Sequence, residues 1–208
     1  MMIHELSNPV ITTLINQLRD SQTDSLRFRQ IIQHLARLLV YEAFEFIHLE
    51  EKMIPTWMGE KSHSFIKEED LMFVPILRAG LPMLDPIIEM FPQAHSGFLA
   101  MARDETSHEA VLYYDKVPDC KGKTVVLLDP MLATGGSLAD AIEFVKKHQP
   151  KKIISLNIIG APEGLTIIEK MHSDVDLYIA QIDEKLNEDK FIIPGLGDAG
   201  DRAYNTPA

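Results

Sequence analysis

From Leu71 onward the chain repeats one pattern: a short run that is apolar at nearly every position, then a segment with helical spacing. LMFVPIL (71–77) precedes AGLPMLDPIIEMF, TVVLL (124–128) precedes SLADAIEFVKKH, KIISLNIIG (152–160) precedes PEGLTIIEKM, and DLYIAQI (176–182) closes the series. A strand without polar alternation has to be covered on both faces, and helices of this length between strands do the covering. The pattern predicts βαβ units and an α/β fold, with a central, mainly parallel sheet flanked by helices.

The residues before Leu71 read differently. Leu26, Ile31, Leu35, Leu38, Leu39 and Ala43 recur at helical spacing, which predicts an amphipathic helix over 24–46 with Asp24 and Ser25 as caps. The weak alternation of FIHLEEKMIPTW predicts a β-hairpin arm, its Pro55 confined to an edge. No repeat, low-complexity tract or Pro/Gly/Ser-rich linker divides the chain, so one domain over 1–208 is expected: 1–70 as helical preface and arm, 71–208 as the α/β core. With 46% apolar residues there is material for a substantial core.

Ligands of open α/β sheets gather outside the carboxyl ends of the strands, and the turn after Leu128, DPMLATGGS, is the richest there. Asp129 ends a strand, Thr134 and Ser137 offer hydroxyls, and Gly135 and Gly136 let a backbone approach an anion without a Cβ between them. A helix starting near Ser137 would aim its free N–H groups at the same place. The competing explanation is a tight strand-to-helix turn that merely uses glycines. The net charge of −11 repels nucleic acid backbones and anionic lipid alike, so neither is an expected partner and any phosphate site must be local. The loop lacks the lysine of a P-loop, and its adjacent glycines do not form the dinucleotide pattern G-x-G-x-x-G.

What remains resembles the loop of the type I phosphoribosyltransferases, with an apolar strand, an acidic residue and a Thr-Gly-Gly-Ser turn. Most of that superfamily carries two adjacent acidic residues, whereas Pro130 stands second here. DPMLATGGS in this form is similar to the uracil phosphoribosyltransferase family. VPILRAGL (74–81), MARDETSHEAVLYYDK (101–116), APEG (161–164) and IIPGLGDAGDR (192–202) match other segments of that family in the same order. The likeness covers nearly the whole chain and reaches back to RFRQ and LLVYEA. Pro82 after RAGL and the opening Arg-Asp-Glu-Thr-Ser at 103–107 depart from the commoner pattern.

The resemblance implies phosphoribosyl transfer from phosphoribosyl pyrophosphate to uracil N1, giving UMP and pyrophosphate in pyrimidine salvage. It implies that Asp129, Pro130, Met131, Leu132, Ala133, Thr134, Gly135, Gly136 and Ser137 hold the phosphoribosyl group, with the Asp129 carboxylate on the ribose hydroxyls. Arg78 and Arg103 match positions on the pyrophosphate side, where a forked guanidinium suits phosphate oxygens. Asp129, Arg78 and Arg103 are thus the implied catalytic residues. Ile192, Gly197, Asp198 and Ala199 match the uracil contacts, and Asp198 also reaches the phosphoribosyl substrate. IIPGLGDAGDR itself is expected to be too irregular for helix or strand, its exposed main chain reading the base. Magnesium is expected with a pyrophosphate leaving group, held mainly by substrate oxygens and water, with no protein metal ligand named. The stretch from about Arg103 to Tyr114, with its polar opening RDETSHE, is expected to form a hood that is mobile without ligand and closes over it.

Other chemistry finds no support. The eight histidines form no metal motif, and no G-x-S-x-G elbow occurs. Lys146, Lys147, Lys151 and Lys152 read most simply as a solvated helix end, with a nucleotide effector such as GTP as the alternative. A pyrimidine-responsive RNA-binding regulator on the same fold would need a basic face, and a noncatalytic nucleotide sensor would be expected to have lost Asp129, the glycines or Asp198. Cys120 is the one cysteine, so no intrachain disulfide can form. Together with an amino end lacking a signal pattern and no apolar run near ~18 residues, it predicts a cytoplasmic protein. The apolar stripe of the first helix and the arm predict a homo-oligomer, a dimer or higher assembly.

Overall fold

The computed structural model describes residues 3–103 and 110–206, side chains at 102–103 and 110–112 excepted. In chain order, β1 (Ile3–Glu5) leads to α1 (Pro9–Arg19) and α2 (Ser25–Ala43), then to an antiparallel hairpin of β2 (Leu49–Thr56) and β3 (Gly59–Ile66). There follow β4 (Leu71–Leu77), α3 (Leu81–Met90), β5 (His95–Ser96), β6 (Phe98–Arg103), β7 (Ala110–Lys116), β8 (Thr124–Leu128), β9 (Met131–Leu132) and α4 (Gly136–Lys146). The rest is β10 (Lys152–Gly160), α5 (Pro162–Met171), β11 (Asp176–Ile182), β12 (Lys185–Leu186), β13 (Ile192–Ile193) and α6 (Ala199–Tyr204).

The main sheet runs β1-β11-β10-β8-β4-β6-β7, with β5 beside β4 and β9 beside β10. Its pairs are parallel except β6–β7, the antiparallel edge. Register places Val74 opposite Leu127 and Leu127 opposite Ser155, so the carboxyl ends of β4, β8 and β10 point to one edge, where β8 stops first. The runs expected to be strands at 71–77, 124–128, 152–160 and 176–182 match the observed strands residue for residue.

The strands β4, β8, β10 and β11 feed two cores. Phe73, Val126, Leu128, Leu156 and Tyr178 face the layer of α1, α2 and α3, while Met72, Val74, Val125, Leu127 and Leu177 face α4 and α5. This is why the strands read apolar throughout: neither face meets water.

The amino-terminal layer departs from expectation in three ways. Helix α1 was not foreseen; Asn8 caps it by accepting from the Val10 amide, Pro9 occupies its first turn, and Ile11, Ile15 and Leu18 are buried. Helix α2 stops at Ala43 rather than 46, because Phe44 turns inward to pack against Phe73 and Phe91, with ring centroids 6.2 and 5.4 Å away. Leu26, expected in the apolar stripe, is exposed, and Phe28 takes the inward position. The hairpin arm is present: Leu49 opposite Ile66 through Thr56 opposite Gly59, with Pro55 in a two-stranded ribbon where its missing N–H costs little. Among the described residues no helix is long and apolar enough to cross a membrane.

Candidate active site

The floor of the site is the end of β8. The Asp129 amide donates to the Leu156 carbonyl, and the Asp129 carbonyl accepts from the buried Asn157 side chain at 2.7 Å. Asn157 is itself oriented by the Ser155 hydroxyl at 2.8 Å, and both are completely buried. Their signal was visible as two polar residues inside an otherwise apolar KIISLNIIG, yet nothing in the sequence said what they would hold. The Asp129 carboxylate accepts from the Met131 amide at 3.3 Å. Pro130 is buried, and its carbonyl accepts from the amides of Ile158 and Ile159. A residue without an N–H fits here because the loop needs only that acceptor.

Beyond Pro130 the loop lies against the start of α5. A Cβ on Gly164 would sit 2.3 Å from the Ala133 carbonyl oxygen, which explains the glycine in APEG. Gly135 has φ +83° and caps α4 in the left-handed region, and a Cβ there would come within 2.9 Å of the Gly164 carbonyl. Backbone shape and the closeness of α5 therefore require a glycine here independently of any anion. Gly136 has room: the nearest atom to a Cβ is Thr134 Oγ1 at 3.8 Å. No side chain caps the first turn of α4, so its amides stay available to an anion or water.

The second wall is the turn after β4, whose Leu77–Arg78 peptide is cis. A Cβ on Gly80 would lie 2.2 Å from the Leu128 carbonyl oxygen, so only glycine lets this turn close against the end of β8. Arg78 is thereby brought to the cleft, where its guanidinium pairs with Asp201 at 2.8 Å and the Thr206 hydroxyl at 3.1 Å. The hydrogen bond from Thr206, with that from Arg78, holds the Asp201 carboxyl below its usual range.

These walls enclose a cleft of about 250 Å³ lined by Arg78, Asp129, Thr134, Gly135, Ser137 and Asp198, with Met131, Leu132 and Ala133 also on its surface. Met101 of β6 also lines it, beyond the expected site residues. Pro130 and Gly136 belong to the loop without lining the cleft, and Ile192, Gly197 and Ala199 stand off it with the carboxyl-terminal segment. Arg103 ends β6, and its side chain and hood residues 104–109 lie outside the described residues, whereas 110–114 of the expected hood form the start of β7, paired with β6.

The carboxyl-terminal segment corrects another expectation. IIPGLGDAGDR is not wholly irregular: Ile192–Ile193 pairs with β12, and α6 begins at Ala199, capped by Asp198, whose carboxylate accepts from the Asp201 amide at 2.8 Å. Glycines hid a helix too short to show a period. Ile192 and Ala199 bury their side chains in the core, while Gly197 and Asp198 are exposed. Among the described residues no group of three or more His, Cys, Asp or Glu could hold a metal ion. Lys146 and Lys152, of the candidate effector lysines, already pair with Asp174 and Asp176.

A parallel sheet with an antiparallel edge, an acidic strand end and a Thr-Gly-Gly-Ser turn opening a helix define a type I phosphoribosyltransferase. A solved hypoxanthine-guanine phosphoribosyltransferase from Bacillus anthracis shares the fold at TM-score 0.51 with 14% identity, covering 81% of this chain and 83% of that one. The family model for uracil phosphoribosyltransferase matches residues 5–206, and the chain belongs to that family. It is 46% identical over 203 residues to a uracil phosphoribosyltransferase of Aquifex aeolicus, covering 98% of each, and 42% identical over 200 residues to that of Finegoldia magna, covering 96% of each. A solved structure from Aquifex aeolicus superposes at TM-score 0.95, with 46% identity and 98% of both chains covered.

Proposed function

We propose that the chain, acting as one catalytic domain, transfers the 5-phosphoribosyl group of phosphoribosyl pyrophosphate to N1 of uracil. The C1–oxygen bond to pyrophosphate breaks, the C1–N1 bond forms, and the N1 proton leaves to solvent. The observation that carries this reading is the convergence of Arg78, Asp129, the Thr134–Ser137 turn and Asp198 on one cleft.

Each group has a part that its chemistry suits. The amides at the start of α4, with the Thr134 and Ser137 hydroxyls, receive the 5-phosphate. The Asp129 carboxylate accepts from the ribose hydroxyls, which orients C1 and tolerates positive charge developing on the ring. Arg78 exchanges its partners Asp201 and Thr206 for pyrophosphate oxygens, joined there by Arg103, and neutralises charge on the leaving group. Gly197, Asp198 and the main chain at Ile192 and Ala199 meet the edge of uracil. Asp129 and Asp198 are too few for a closed metal site, which fits magnesium carried by the pyrophosphate and water. When bound, magnesium supplies further neutralisation of the leaving group.

A second copy of this chain is the partner suited to the hairpin arm. Trp57 at its tip is 93% exposed, Met58 beside it is exposed, and so are Met53 along β2 and Leu49 at the base of the arm. A cytoplasmic, reducing setting suits the lone Cys120, buried against Met72. The purified protein should form UMP from uracil and phosphoribosyl pyrophosphate with magnesium; no product from uracil would refute the assignment.

A further inference from the structure

The segment Ile192–Asp198 is held from beneath by an ion pair that the proposed reaction does not use. Asp183, the residue after β11, has a side chain with no exposure, and Arg19, the last residue of α1, has one only 17% exposed. The Arg19 guanidinium donates to both Asp183 oxygens, at 2.9 and 2.5 Å, and also to the Gly195 carbonyl at 2.6 Å. The Asp183 carboxylate accepts in turn from the Gly195 amide at 2.9 Å and from the Gln181 side chain at 3.2 Å. Both main-chain groups of Gly195 are thus taken by this one pair. Gly195 has φ +63°, and a Cβ there would meet the Ile192 carbonyl oxygen at 2.0 Å, so the turn has no slack.

A second arginine works beside the first. Arg202, on α6, donates to the carbonyls of Leu18, Asp20 and Leu196, so the end of α1 is tied to Gly195 through Arg19 and to Leu196 through Arg202. Between Gly195 and Asp198, which caps α6, only Leu196 and Gly197 remain, and Leu196 is buried. The directions of the Gly197 and Asp198 main-chain groups therefore follow from where Gly195 is held.

We infer that Arg19 and Asp183 are positioning residues that set the main chain of the base-recognition segment, and so govern affinity for uracil and its discrimination from other bases. The inference rests on the reaction proposed above. A buried ion pair is a poor device for stability alone, since apolar residues of the same volume commonly do as well. An apolar pair could not occupy both the N–H and the C=O of Gly195. A carboxylate joined to a guanidinium does so with fixed geometry.

The test compares wild type, Asp183→Asn and Arg19→Lys in steady-state kinetics, varying uracil, phosphoribosyl pyrophosphate and cytosine separately. Asp183→Asn should raise KM for uracil about 10- to 100-fold, the range for losing a charge-assisted hydrogen bond, and narrow the preference over cytosine. KM for phosphoribosyl pyrophosphate should stay within about threefold, because the phosphate loop is mounted elsewhere. Arg19→Lys keeps the charge but cannot span three acceptors, so it should move the same constant less. Should Asp183→Asn not fold, Arg19→Lys carries the comparison alone. Both KM values rising together, or neither moving while thermal stability falls, would assign the pair to structure and overturn the inference. If wild type does not convert uracil, the reaction assignment fails, and the clamp is judged by hydrogen exchange of the Leu196 and Gly197 amides. Faster exchange in Arg19→Lys than in wild type supports the clamp, and equal exchange overturns it.

Discussion

Gly135→Ala separates two reasons for a glycine in the phosphate loop. An L-residue held at φ +83° costs about 1–2 kcal/mol by left-handed strain. The added Cβ would also stand 2.9 Å from the Gly164 carbonyl oxygen and 3.2 Å from Ile167 Cβ, so α5 must give way. Overpacking of this kind costs about 1–3 kcal/mol, for a total near 2–5 kcal/mol. For a chain of this size that lowers Tm by roughly 4–20 °C. Gly136→Ala is the control, because its Cβ meets nothing nearer than 3.8 Å and its φ is not positive. That variant should stay within about 1 kcal/mol of wild type, with a small gain possible from reduced unfolded-state freedom. The assay is calorimetric unfolding of both variants, paired with titration of phosphoribosyl pyrophosphate. If Gly135→Ala unfolds within about 2 °C of wild type but loses the ligand, the glycine serves anion approach and the reasoning from backbone shape is wrong.

Arg78→Ala should lower kcat/KM by at least ~100-fold, as expected when a charge partner of a developing anion is removed, and a loss under about threefold would assign it to holding Asp201 and Thr206. Cytosine should be rejected by up to ~10⁴ in kcat/KM, because it inverts the donor and acceptor at two positions of uracil's polar edge, whereas 5-fluorouracil keeps that edge and should be used; cytosine within about tenfold of uracil would refute main-chain readout. His172 is held below its ordinary pKa of 6.5 by burial first and then by Lys146, against the opposing pull of the Ala139 carbonyl, Asp174 and Glu143. The unfolded chain therefore binds the extra proton as pH falls through 6.5, so stability present above that value is lost below it, down to the depressed pKa of the folded state. His172→Gln should flatten that slope in urea titrations at stepped pH, and an unchanged slope would place its origin elsewhere.

Strands β4, β8, β10 and β11 were legible because they are buried on both faces and bounded by turns, so periodicity and length coincide. The Asp129–Ser137 loop, to which the 5-phosphate is assigned above as a proposal, stood out because its residue types are contiguous. Helix α1 had readable signals, Asn8 and Pro9 before Val10, Ile11, Leu14, Ile15 and Leu18, and was overlooked beside the stronger pattern of α2. Strand β6 was not legible, since FLAMAR has neither strict alternation nor the β-branched residues that mark a strand. Helix α6 has six residues, fewer than two turns, and a glycine among them. The Arg19–Asp183 contact joins residues 164 positions apart and leaves no local trace. Pairings of that kind come from tertiary structure alone, whereas caps, turns and apolar periods are written locally.

The two cores on either side of the sheet bear on how base preference could diverge in such a chain. The segment at 192–199 rests on the α1–α2 side, with Ile192, Leu196 and Ala199 in that core, whereas Leu132 and Leu138 belong to the other and Met131 and Ala133 of the same loop pack against the first. On the clamp proposed above, selection for a new nucleobase acts through Arg19 and its neighbours at the end of α1. A directed-evolution library aimed at altered pyrimidines is best concentrated at the carboxyl end of α1, some distance from any atom that reacts.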